Sequence, residues 1–79
     1  MDEALRQQVI DRAIQLGARD VLTSDDMDAA ADELLTITTD KDTLSSAHGF
    51  LVGRHASQGG PYLLQAWMIV ERALKRRIP

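Results

Sequence analysis

Four segments of the chain show the spacing of hydrophobic residues that is typical of amphipathic helices. In the first segment, residues 2–16, apolar side chains recur every three or four positions, at Leu5, Val9, Ala13 and Leu16. Gly17 follows directly, and a glycine at this position commonly ends a helix in the left-handed conformation. We therefore predict a first helix over residues 2–16, with Gly17 as its C-terminal cap. The connector that follows is expected to tuck Val21 and Leu22 against the core.

The second segment begins with a strong helix-start signal. Thr23 and Ser24 precede two aspartates, and a hydroxyl cap with first-turn carboxylates satisfies the exposed amide end of a helix. The apolar positions that follow define an inward stripe, and the acidic positions between them point away from it. The stripe contains Met27, Ala30, Ala31, Leu34 and Leu35. We predict a helix that runs to about residue 37 and has an anionic outer face.

The third segment, residues 40–54, begins where Thr39 and Asp42 have the spacing of a capping box. Its inward residues are predicted to be Leu44, Ala47 and Leu51, with Phe50 beside them. Gly49 and Gly53 lie four positions apart. In a helix, this spacing favours close approach by a neighbouring backbone.

The fourth segment, residues 61–77, follows the clearest loop in the chain, which contains Gly59 and Gly60. Pro61 suits the first turn of a helix. Apolar side chains cover more than one face of this segment, so we predict that it is the central helix and that Trp67 is largely buried. The surplus apolar surface also favours self-association.

These elements predict a single domain over residues 1–79. The fold class is all-α: a small, compact antiparallel bundle of four helices, or of three helices plus a short one. A chain of 79 residues forms only one modest core.

Composition narrows the functional classes. The chain has no cysteine, so neither a disulfide nor a thiolate zinc site is available. The N-terminal residues lack the order of a signal peptide, and the longest apolar stretch, residues 62–70, is far shorter than the ~20 residues of a membrane helix. We expect a cytoplasmic protein that does not enter a membrane.

Candidate catalytic and metal-binding groups do not form a recognisable motif. His48 and His55 are seven positions apart, which separates them by about 10.5 Å along a helix, too far to share one zinc ion. The serines beside His48 lack the sharp turn that exposes a nucleophile. The glycines at 59–60 are not followed by the lysine of a phosphate-binding loop. We predict that the protein is not an enzyme and has no metal and no cofactor.

Charge is unevenly distributed along the chain, whose net charge is −3. Residues 1–42 hold 11 of the 12 acidic residues, and residues 43–79 hold five of the nine basic ones. Four carboxylates of the second helix have no Lys or Arg four positions later: Asp25, Asp28, Asp32 and Glu33. Arg72, Lys75, Arg76 and Arg77 form a basic C-terminal cluster, which is expected to be a solvated helix end that complements the helix dipole.

The favoured hypothesis is that this acidic face binds a protein partner with a basic surface, through charge-assisted contacts. The chain would then be a small acidic interaction module that inhibits or regulates another protein, such as a nucleic-acid-handling one. A second surface is an alternative interface, for a partner or for a homodimer. Its residues are His48, His55, Tyr62, Met68 and Ile69.

The alternative function is a small DNA-binding regulator, because residues 24–47 resemble the layout of a helix-turn-helix. The chemistry is less favourable, since Asp40 and Asp42 flank Lys41 where recognition helices carry Arg, Lys, Asn or Gln. Nucleic acid is therefore not the expected partner.

Overall fold

The computed structural model describes residues 2–77. Its four helices are α1 (Glu3–Gly17), α2 (Ser24–Leu35), α3 (Lys41–Gln58) and α4 (Pro61–Arg76). They pack into a small all-α bundle, which confirms the predicted fold class. The second helix is two residues shorter than predicted, and the third continues four residues past Arg54.

Side chains near the helix starts explain where three helices begin. The Asp2 carboxylate caps α1 by accepting hydrogen bonds from the Ala4 and Leu5 amides. Thr23 and Asp26 form a reciprocal capping box at α2, which confirms the predicted helix start there. The capping box predicted from Thr39 is wrong. Asp40 caps α3 instead, because its carboxylate accepts from both the backbone N–H and the hydroxyl of Thr43.

The fourth helix is central, as predicted. It packs against all three other helices, and α1 also contacts α2 and α3. Within residues 2–77, no Cα atom of α2 lies within 8 Å of one in α3. The largest fully buried apolar side chains come from all four helices: Ile10, Leu34, Leu44, Leu51, Leu63 and Ile69.

Gly17, Gly49 and Gly53 have different roles from those predicted, whereas Gly59 and Gly60 form the predicted loop before α4. Gly17 lies inside α1 and does not adopt the left-handed conformation. A Cβ atom there would lie 2.7 Å from both the Ala66 nitrogen and the Tyr62 carbonyl oxygen. A Cβ atom at Gly49 or Gly53 would meet nothing within 4 Å. The close backbone approach predicted on α3 therefore occurs at Gly17, where α4 crosses α1.

One aromatic residue differs from expectation. Phe50 is exposed, and the Arg6 and Arg54 guanidiniums lie 5.4 and 6.0 Å from its ring centre. Trp67 packs against the core with a minor part of its surface exposed, as predicted, and its ring meets the His48 ring edge-on at 5.6 Å. Phe50 therefore packs beneath arginine side chains on the outside of the bundle, away from the core.

Candidate functional site

The acidic face of α2 is bound by arginines from the neighbouring helices. Arg12 of α1 donates two hydrogen bonds to Glu33, of 2.8 and 2.9 Å. Arg76 of α4 donates two to Asp32, of 2.9 and 2.8 Å. Such paired contacts match the planar guanidinium to the carboxylate and are the strong form of this interaction. These two acids therefore hold α2 against α1 and α4.

A third carboxylate of the face is engaged in the same way. Arg72 of α4 donates to Asp28 at 3.2 Å and to the carbonyl and hydroxyl oxygens of Ser24 at 2.8 and 2.9 Å. Within the described part of the chain, only Asp25 of the four predicted site residues makes no ion pair. The sequence places no Lys or Arg four positions after any of these carboxylates, and the arginines that pair with three of them come from other helices.

The hydrogen bonds shift the ionisation of these pairs. The hydrogen bonds from Arg76 lower the pKa of Asp32, and those from Arg12 lower the pKa of Glu33. The pKa of each arginine is raised in turn, chiefly by the same hydrogen bonds. All four groups therefore stay charged at neutral pH, and the carboxylates are already paired.

The second predicted surface is not one continuous patch. Ile69 packs in the core and has no exposed surface. It therefore cannot contribute to a docking surface. Tyr62 is 42% exposed. His55 is partly buried, and His48 lies with its Nε2 atom 3.8 Å from Glu71 on α4. Met68 remains relevant because it lines the groove described next.

Gln65 ties the loop between α1 and α2 to α4. Its side-chain oxygen accepts a hydrogen bond from the Leu22 amide at 2.8 Å. Its side-chain nitrogen donates to the carbonyl oxygens of Gly17, at 2.9 Å, and Arg19, at 3.4 Å. One side chain therefore satisfies three backbone groups of this loop and sets its position beside α4.

An apolar groove of about 450 Å³ lies between this loop and α4. Val21, on its rim, is 92% exposed, the highest exposure among the large apolar residues of the described chain. Arg19, Asp20 and Gln65 supply the polar part of the lining. The apolar lining also includes Leu22, Met27, Pro61, Leu64 and Met68.

Sequence reasoning missed this groove. The expectation that both Val21 and Leu22 tuck inward is half right, since Leu22 packs against the core while Val21 points into solvent. The signal was present in the sequence: an apolar pair in a polar connector. The Leu22 amide donates a hydrogen bond to the side chain of Gln65, 43 residues away, and no local spacing predicts such a contact.

The spacing of α2 and α3 differs from that of a typical helix-turn-helix, whose two helices are joined by a turn of about 3–4 residues. Here residues 36–40 separate the helices, and within the described chain no Cα atom of α2 lies within 8 Å of one in α3.

Two other kinds of site are absent from residues 2–77. No group of three or more His, Asp or Glu side chains is placed to hold a metal ion. None of the four helices is both long and apolar enough to cross a membrane.

Comparison with known proteins gives no further information about the site. No protein-family model, no curated protein and no solved structure matches this chain.

Proposed function

We propose that this chain is a small acidic protein–protein interaction module that binds an apolar segment of a partner protein in the groove beside Val21. The observation that carries the proposal is the 92% exposure of Val21 at the rim of an apolar groove. Fully burying a valine or methionine side chain contributes about 1.5–3 kcal/mol. Burying this surface therefore gives a larger hydrophobic driving force for binding than burying other exposed parts of the chain.

Charge indicates the chemistry of the partner. The protein has a net charge of −3, and Asp20 and its neighbour Arg19, both at the groove, make no ion pair within residues 2–77, so the excess negative charge of the whole chain is what favours a basic partner. A partner with Lys or Arg beside its apolar segment gains a complementary contact there, which favours fast and specific association. The proposed partner therefore still has a basic surface, but this surface contacts Asp20 rather than the acidic face of α2.

The paired carboxylates of α2 make a weaker docking site. To bind a basic partner, Asp32 would have to exchange its two hydrogen bonds from Arg76 for new ones. One charge-assisted contact would replace another, so the net gain is small. Burial of Val21 requires no such exchange.

The same observations favour a protein over a nucleic acid as the partner. Arg12, Arg72 and Arg76 donate to carboxylates of α2, so their capacity to contact phosphates is reduced. The proposed role is that of a cytoplasmic inhibitor or regulator, which acts by covering part of its partner and needs no chemistry of its own.

Site-specific photo-crosslinking tests this function. A photoreactive amino acid replaces Val21, and a control replaces Ser45, an exposed residue of α3, a helix that does not line the groove. Position 21 should capture a protein that position 45 does not, and that protein is then identified, purified and titrated. Val21→Asp should weaken its binding at least tenfold, whereas Asp25→Lys should change it little. Loss of binding by Asp25→Lys with no effect of Val21→Asp would place the site on α2 instead.

A further inference from the structure

We propose that a second copy of this chain covers the groove when no other protein is bound, through reciprocal contact of the two Val21 side chains with the two grooves. The inference rests on the proposed function only in taking the groove beside Val21 as the binding surface. It adds a regulatory state in which the module blocks its own site.

This surface combines a projecting side chain with an adjacent groove, the two parts that a self-complementary contact needs. A two-fold symmetric interface requires a patch in which one residue meets a second and, by symmetry, the second meets the first. Val21 projects at 92% exposure from the same rim that borders the groove. Because Gln65 makes hydrogen bonds to the backbone of Gly17, Arg19 and Leu22, the backbone that carries Val21 is held in place before contact, which lowers the entropy lost on association.

The charges next to Val21 are also self-complementary. Arg19 and Asp20 are adjacent, exposed and of opposite sign. Within residues 2–77 neither lies within 4.0 Å of an oppositely charged group. Arg19 acts on Asp26 and Glu33 only as a smaller contribution to their lowered pKa values. About a two-fold axis at this loop, Arg19 of each copy faces Asp20 of the other, so the contact forms twice.

The size of the patch indicates a reversible dimer. A stable interface buries about 800 Å² on each partner, whereas the whole described surface is 4550 Å². The groove and its loop contribute nine lining residues, whereas each side of a stable interface contributes about 20–30. The second copy is therefore expected to bind at micromolar concentration and to yield to a partner that covers more apolar surface.

Charge-swap variants test this arrangement by sedimentation velocity over a micromolar concentration range. Wild type should show a concentration-dependent dimer. Arg19→Asp alone and Asp20→Arg alone should each be monomeric, because each places two like-charged pairs across the axis. An equimolar mixture of these two variants should recover the dimer, since every facing pair is then opposite in charge. The chain that carries both substitutions should also dimerise.

Clear outcomes overturn the inference. Wild type that stays monomeric throughout the range contradicts it, and so does a mixture that dimerises no better than the single variants. Val21→Asp should remove the dimer while circular dichroism stays unchanged, because this side chain has few contacts within its own chain.

The result is separable from the proposed function. A monomeric wild type that still crosslinks a different protein from position 21 overturns the dimer and leaves the proposed function standing. Recovery of the dimer in the mixture, without any other protein captured at position 21, supports the dimer and contradicts the proposed function.

Discussion

Replacing Gly17 by alanine tests the packing of α1 against α4 directly. The added Cβ would lie 2.7 Å from two backbone atoms of α4 and 3.1 Å from the Ala66 Cα, whereas ordinary contacts begin at 3.4 Å. The obstructing atoms are backbone, so no side chain can rotate away. The two helices must therefore separate by several tenths of an ångström at their crossing, where core side chains pack on both sides.

The magnitude follows from two opposing effects. Overpacking a core costs typically about 1–3 kcal/mol, and a clash with backbone belongs at the upper end. Alanine is about 0.5–1 kcal/mol better than glycine inside a helix. The net destabilisation is therefore about 2 kcal/mol, which lowers the Tm of a domain of this size by roughly 8–16 °C.

The matched controls are Gly49→Ala and Gly53→Ala. Both glycines lie inside α3, where a Cβ would meet nothing within 4 Å. Each substitution should stabilise the fold by about 0.5–1 kcal/mol, because only the helix preference remains. Urea denaturation followed by circular dichroism measures all three variants. A Gly17→Ala protein as stable as wild type, or a gain equal to that of the α3 variants, would refute the close crossing of α1 and α4.

Three further predictions concern the contacts between helices. Asp32→Arg should lower the Tm because it places two arginines together, and adding Arg76→Asp should restore much of the loss; equal Tm values for the single and double variants would argue against the pair. Gln65→Ala should leave the Leu22 amide without its partner, costing about 1–3 kcal/mol, and should speed hydrogen exchange at that amide more than in the middle of α4. The pKa values of Asp32 and Glu33 are lowered from their ordinary values of 3.8 and 4.5. A lowered native pKa stabilises the fold above the ordinary value, and this stability is lost as pH falls through the native value. Stability should therefore decline as the pH drops below about 5. A urea midpoint that stays constant between about pH 6 and about pH 3, a range that includes both ordinary pKa values, would contradict this.

Acid sensitivity should also appear at the helix starts. Hydrogen bonds from the Thr23 backbone and hydroxyl lower the pKa of Asp26, and those from the Thr43 hydroxyl and backbone lower the pKa of Asp40. Protonating either carboxylate weakens a cap. The caps and the interhelical pairs therefore weaken over the same acidic range.

Much of the local structure was determined by the sequence itself. Neighbouring residues of the apolar stripe of α2, and the two residues of the cap at Thr23, lie at most four positions apart in the sequence. Their geometry follows from the helix repeat, which is the same wherever the helix lies in a fold. The central position of α4 could also be inferred, because a helix with apolar residues on several faces must be covered by several neighbours.

The tertiary structure alone decided the candidate site. Asp32 meets Arg76 across 44 positions of sequence, and Gly17 meets Ala66 because α4 crosses α1 at that point. The loop that carries Val21 takes its position beside α4 through Gln65, which binds the Leu22 amide from that helix. How helices cross depends on the packing of the whole core, a sum over side chains from all four segments. The spacing of residues within one helix does not determine this packing, so the paired carboxylates and the groove could not be predicted from the sequence.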